Sequence, residues 1–139
     1  MNENNLIENP IIKNTLKEDH STLALLHYCQ LLNFFGFFGI IIPVVLWSTK
    51  KNEIKGMDEH GKHVINYQLS MLLYGVIYAM LFVISILLTF VFIGFVFIII
   101  LSILGIPLAL LLIVYPIIGG IAASKGEFYN YPLTIKFIR

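Results

Sequence analysis

The side chains best suited to chemistry crowd into one short stretch: Asp58, Glu59, His60, Gly61, Lys62, His63, Asn66 and Gln68. His60 and His63 stand three residues apart. On a helix they share a face, and with a carboxylate they could hold a metal ion. A metal-dependent membrane enzyme using the His60/His63 region is therefore one reading. No third strong ligand lies nearby, and Gly61 and Lys62 intervene. The same residues also describe a helix start at headgroup depth. Asp58 is a fitting N-cap, Asp58–Lys62 and Glu59–His63 are spaced i, i+4, and acidic groups suit a helix N-terminus. On that balance no catalytic, cofactor-binding or metal-ligating residue is assigned, no cofactor is expected, and the chain is read as a non-enzyme.

Polar groups continue beyond this stretch at helical spacing. His63, Asn66, Tyr67, Ser70, Tyr74, Tyr78 and Ser85 fall near one face, and such a face inside a membrane meets protein or water rather than lipid. Gly75 and Ala79 on the same helix form a small-xxx-small pair suited to close helix approach. Gly119 with Ala123, and Gly120 with Ser124, repeat that pattern later in the chain. The tail Gly126, Glu127, Phe128, Tyr129, Asn130, Tyr131 and Pro132 is aromatic and reads as an interfacial anchor. Residues 133–139 alternate apolar and polar, as in a short strand or an extended surface segment. Glu127 is placed to pair with Lys62, and Tyr129 or Tyr131 to cap Asn66 or Gln68. Together these make a structural clasp.

The elements that must position these residues are membrane helices. Residues 63–124 contain no Asp, Glu, Lys or Arg. As one helix they would span roughly 90 Å, about three hydrocarbon thicknesses, so they must fold back as a hairpin. A second uncharged run, 21–49, supplies another span. A hydrophobic content of 58% and mean hydropathy of +0.87 lie outside the soluble norm. The expected architecture is all-α and polytopic, with spans of about 21–47, 64–90 and 96–124. A polar, partly disordered lead occupies 1–20, a linker 50–62 with a short interfacial helix before the second span, and an aromatic tail 126–139. Leu6, Ile7, Ile11, Ile12 and Leu16 give the lead weak amphipathic character. Met1 to Glu8 lack Lys and Arg, so no cleaved signal is expected.

Within the first span, Asp19 to Ser21 are good cap residues, Trp47 ahead of Lys50 and Lys51 marks a boundary, and Pro43 predicts a kink. His27 and Asn33 are its polar groups, and His27 is read as hydrogen-bonded to a neighbouring helix or carbonyl. Cys29 is the only cysteine and reads as a small hydrophobe. The hairpin turn is placed at Gly94, with Gly105–Pro107 as the other candidate. Seven basic residues (Lys50, Lys51, Lys55, Lys62, Lys125, Lys136 and Arg139) then share one side, and Lys13 and Lys17 the other. The positive-inside rule puts the C-terminus in the cytoplasm and the N-terminus outside. A net charge of +1 excludes a nucleic-acid partner.

Asp58–Lys62, Asn66–Gln68 and Gly126–Ile138, with Leu25, Leu26, His27 and Pro43, resemble the domain-of-unknown-function 4870 family. Those small bacterial and archaeal membrane proteins are grouped distantly with the twenty-kilodalton subunit of the chloroplast inner-envelope translocon (Tic). The resemblance runs from about Asp19 to Arg139, departing in the short connector Ser124–Lys125. It implies a multi-pass protein of a bacterial or archaeal cytoplasmic membrane and no mechanism. The function expected is that of a structural or interaction component, assembling in the bilayer with itself or a larger membrane protein. An accessory or pore-forming subunit in translocation is the alternative, with a polar path along His63, Asn66, Ser70, Tyr74 and Tyr78.

Overall fold

A computed structural model of the chain describes residues 16–35 and 38–138, so residues 1–15, Gly36, Phe37 and Arg139 lie outside the described residues. Four α-helices follow in order: α1 (His20–Tyr28), α2 (Phe38–Lys50), α3 (Met57–Leu87) and α4 (Ile93–Ser124). A 3₁₀ segment, Cys29–Phe35, continues α1, and another, Leu88–Val91, links α3 to α4. Among the described residues there is no β-strand, only an isolated bridge between Lys17 and Ile54.

Two helical stretches, Met57–Val91 and Ile93–Ser124, are long and apolar enough to cross a membrane. They pack as an antiparallel hairpin. Tyr78 Oη donates to the Leu101 carbonyl at 2.9 Å and Tyr67 Oη to that of Leu111 at 2.8 Å. The reversal occupies Leu88–Phe92, where Phe92 takes a left-handed φ of 62°. Gly94 is already helical. A Cβ there would fall 2.2 Å from the Ser85 carbonyl oxygen, so glycine lets the two helices close.

The first apolar run does not form the single span expected over 21–47. Asp19 caps α1 through Thr22 N–H (3.0 Å) and Thr22 Oγ1 (2.8 Å). α1 runs antiparallel to α4, His20 lying beside Gly126 and His27 beside Gly119. α2 runs antiparallel to α3, its Gly39 carbonyl meeting Gln68 and its Trp47 covering Gly61. Since α3 and α4 are themselves antiparallel, α1 and α2 point in opposite directions. The two ends of the run meet: Lys17 N–H donates to Glu53 (2.9 Å), Lys55 N–H to Lys17 (3.0 Å), and Lys55 pairs with Glu18 at 2.8 Å. The run is thus a helical hairpin beside α3 and α4, and Lys17 shares an end with the linker. The expected separation of Lys17 from Lys50, Lys51 and Lys55 gives way to this closure.

Pro43 explains part of the geometry. A proline at that position cannot donate to the carbonyl four residues earlier, which is Gly39. The Gln68 side-chain amide supplies the missing donor. Two smaller expectations are also revised. The residue capping α3 is Gly56 (φ 80°), not Asp58, and α3 runs unbroken from Met57 with no separate interfacial helix before it. Asp58 lies in the first turn instead, where it accepts from Trp47 Nε1 at 3.1 Å and pairs with Lys62 at 2.7 Å.

The Asp19 cap carries a pH signature. Hydrogen bonds from Thr22 hold its carboxyl below the usual aspartate value. A depressed folded-state value means the cap's ionic contribution is complete above the unfolded value and is lost as pH falls through the folded one. Asp19→Asn keeps a capping oxygen without the titration. Thermal melts of the two proteins will therefore run parallel near neutral pH. Below about pH 4 the native protein alone loses this contribution; an identical acid dependence in both would exclude Asp19 as its source.

Candidate functional site

The helix ends gathered at the basal, charged end enclose a buried polar cluster. α1 supplies His27, the adjoining 3₁₀ segment Gln30, α3 His60, and the tail Tyr131; all four are almost wholly buried. Gln30 Nε2 donates to Tyr131 Oη at 2.9 Å. Tyr131 Oη shares a hydrogen bond with His27 Nδ1, 2.5 Å away. His27 Nε2 shares a second with His60 Nδ1 at 2.9 Å, so the two rings and the hydroxyl form one connected chain. His60 stands at the wall of a polar surface cavity of about 320 Å³ that Glu18, His20, Lys55 and Glu59 also line. Burial keeps the Tyr131 hydroxyl far above the usual tyrosine value, so it remains a donor.

Gly119 makes the cluster possible. A Cβ there would stand 2.5 Å from Tyr131 Oη and 2.7 Å from His27 Nδ1. Gly120 admits Tyr28 in the same way. The small residues of α4 thus receive α1 and the tail of the same chain. Gly75 is different: nothing lies within 4 Å of a Cβ built on it, and with Ala79 it faces an open cavity rather than a helix.

The polar stripe of α3 is covered by the tail. Asn66 accepts from the N–H groups of Phe137 (2.9 Å) and Ile138 (2.7 Å) and donates to the Ile138 carbonyl (2.8 Å). Ser70 accepts from Ile135 N–H at 2.8 Å, and Tyr74 donates to the Leu133 carbonyl at 3.0 Å. The tail therefore runs down the stripe from Tyr74 to Asn66, and α3 side chains take the place of a strand partner. Tyr131 also stacks on Tyr67 (ring centroids 4.4 Å apart) and meets Tyr129 edge-on, while Phe128 packs against His60 and His63.

Several expected partners differ. Lys62 is engaged by Asp58 rather than Glu127. Tyr131 reaches His27 and Gln30 rather than Asn66 or Gln68. Gly126 closes α4 with φ 77° ahead of Glu127, and Pro132 begins the turn before Leu133. Among the described residues, no group of three or more His, Cys, Asp or Glu side chains is disposed to hold a metal ion. Gln30 was missed by sequence reasoning; its signal was its position three residues after His27, on the same face of the chain.

A model of the magnetosome magnetite crystal formation protein family matches residues 18–138. The chain belongs to that family. Its membership in the magnetosome family corrects the resemblance to domain-of-unknown-function 4870 and to the Tic subunit: the segments that carried that resemblance, Asp58–Gln68 and Gly126–Ile138, lie inside the matched span. Neither a curated protein nor a solved structure matches the chain. For this member of the magnetosome family, then, the all-α membrane hairpin and its basal cluster stand as the structural framework.

Proposed function

We propose that the chain is a non-enzymatic membrane component that serves magnetite crystal formation from within the magnetosome membrane. The observation that carries this reading is the family match over 18–138. The distribution of charge refines it. The basal end gathers Lys17, Lys50, Lys51, Lys55, Lys62, Lys125 and Lys136, whereas the whole stretch 63–124 bears no Asp, Glu, Lys or Arg. By the positive-inside rule the basal end faces the cytoplasm, and the turn at Leu88–Phe92 faces the opposite compartment. Hard metal cations are held by oxygen ligands, carboxylates above all. A tip without carboxylates offers no mineral-binding surface of that kind. The chain therefore acts as an organiser in the bilayer, assembling with itself or a larger membrane protein.

The tail and α1 of the same chain occupy the stripe and the α4 glycines, so a partner would have to meet the outer face of α3 and α4, where Ile77, Leu81, Ile99 and Ile103 are exposed. The same occupation removes the basis for a translocation path: Asn66, Ser70 and Tyr74 are bonded to the tail and Tyr78 to α4. The test is deletion of the chain in a magnetite-forming cell. Crystal size or number changes and is restored by the native sequence. Crystals unchanged on deletion, with no second copy of the family present, would overturn the reading.

A further inference from the structure

The two ends of the bundle differ in width. At 1.5 Å per residue α3 and α4, with 31 and 32 residues, are each about 47 Å long, whereas α2, with 13, reaches only about 20 Å from its charged end at Lys50. α2 lies against the basal part of α3, where Trp47 covers Gly61 and the Gly39 carbonyl meets Gln68. Near the turn of that hairpin Asn33 and Ile40 border a cavity whose other wall includes Gly75 and Val76. The tail climbs to the same level, where Tyr74 holds the Leu133 carbonyl. Beyond it α3 and α4 have only each other among the described residues, and Met80, Val83, Leu87, Phe95, Ile99 and Ile103 are all exposed. The basal half therefore holds four helices and the tail, and the distal half two helices. Two further helices, each 10–12 Å across, widen the basal half by about 200 Å².

Lipid is the surrounding that suits the short arms as well as the long ones. Residues 21–49 carry no Asp, Glu, Lys or Arg, and the turn between the arms is flanked by Phe34, Phe35 and Phe38, exposed by 70%, 75% and 60%. The charged groups lie at the other, closed end, where Lys17 meets Glu53 and Lys55. An arm of about 20 Å cannot cross a hydrocarbon core of about 30 Å, so a hairpin entering from the basal side ends within it. We propose that α1 and α2 form a re-entrant wedge in the basal leaflet, and that the partner this shape fits is a curved lipid surface, convex on the basal side. Convex curvature opens the basal leaflet relative to the distal one, so the wide half is accommodated without compressing its neighbours. Small mismatch costs are enough to sort proteins among membranes, as they do for bilayer thickness. The inference rests on the packing of the first hairpin and not on a role in magnetite formation. With the basal end in the cytoplasm, as proposed above, the favoured membrane is one that bulges toward the cytoplasm, as on an intracellular vesicle.

Membrane tubes pulled from giant vesicles test it. The full-length protein carries Lys125→Cys in a Cys29→Ala background and is labelled from outside with an impermeant fluorescent maleimide, so that only molecules with the basal end outward are visible. A tube pulled outward makes their basal leaflet convex. The protein will be at least about twofold denser in that tube than in the vesicle wall, the factor that about 0.4 kcal/mol of relieved mismatch gives. A tube pulled inward makes the same leaflet concave, and the protein will be depleted from it. Val83→Trp with Ile103→Trp, both on the exposed surface of the narrow half, widens that half and will lower the enrichment. Equal density in tube and wall, or the same sign in both tubes, would overturn the proposal, and would mean that the narrow half is filled, as by a second copy of the chain. Unaltered sorting of the folded tryptophan variant would overturn it too. A spin label at Phe35→Cys gives a separate reading of depth: it will be relaxed by oxygen dissolved in the lipid and shielded from a water-soluble nickel chelate. Strong relaxation by the nickel would place the hairpin outside the bilayer and remove the wedge. Should the tryptophan variant fail to fold, the two tubes decide alone.

Discussion

Tyr131→Ala will lower the thermal transition of the protein in nanodiscs more than any other single truncation in the tail. The ring stacks on Tyr67, and its hydroxyl joins Gln30 to His27. Emptying a buried aromatic site costs about 3–5 kcal/mol. For a chain of this size that is a fall on the order of 10 °C or more. Tyr131→Phe separates the two contributions. It keeps the stack and leaves Gln30 Nε2 and His27 Nδ1 facing a hydrocarbon edge, at about 1–3 kcal/mol. The order of stability will be native, then Phe, then Ala. An alanine variant as stable as the native protein would mean that the tail is not wedged into the helices.

Asn66→Ala has the second largest effect, and a more local one. One side chain satisfies three backbone groups of Phe137 and Ile138. Side-chain hydrogen bonds within membranes average about 0.6 kcal/mol each, so the three together contribute about 2 kcal/mol. That corresponds to a roughly 30-fold loss of amide protection at Phe137 and Ile138. Ser70→Ala will expose chiefly Ile135. Unchanged protection at Phe137 in Asn66→Ala would remove α3 as the partner of the tail.

These two residues also show what was readable in advance. The length of 63–124 and its lack of charge demanded a hairpin, and the all-α fold has two helices long and apolar enough to cross a membrane. The periodic polar stripe required something to cover it. Which element would do so was not legible, because an extended tail gives no periodic signal and its partners are fixed only by tertiary placement. The first apolar run misled for a physical reason. Residues 21–49 are uncharged and as long as a crossing helix, and hydropathy is blind to a reversal in which both arms are apolar. Pro43 was visible as an interruption, and a proline is equally compatible with a kink. The closing contact, Lys17 with Glu53 and Lys55, is made by backbone groups and leaves no mark in residue type. Gln30 was passed over because a lone amide in an apolar run is conspicuous only once His27 and Tyr131 stand beside it.

The reversal of the first apolar run fixes where every later element lies, and sidedness tests it directly. Single cysteines at Leu16, Lys51, Lys125 and Thr89, placed in a Cys29→Ala background, can be reacted with a membrane-impermeant maleimide in sealed vesicles of known orientation. The re-entrant arrangement predicts that Leu16, Lys51 and Lys125 react from one side and Thr89 only from the other. Reaction of Leu16 from the side opposite Lys51 would mean that the first run crosses the bilayer, and would contradict the account.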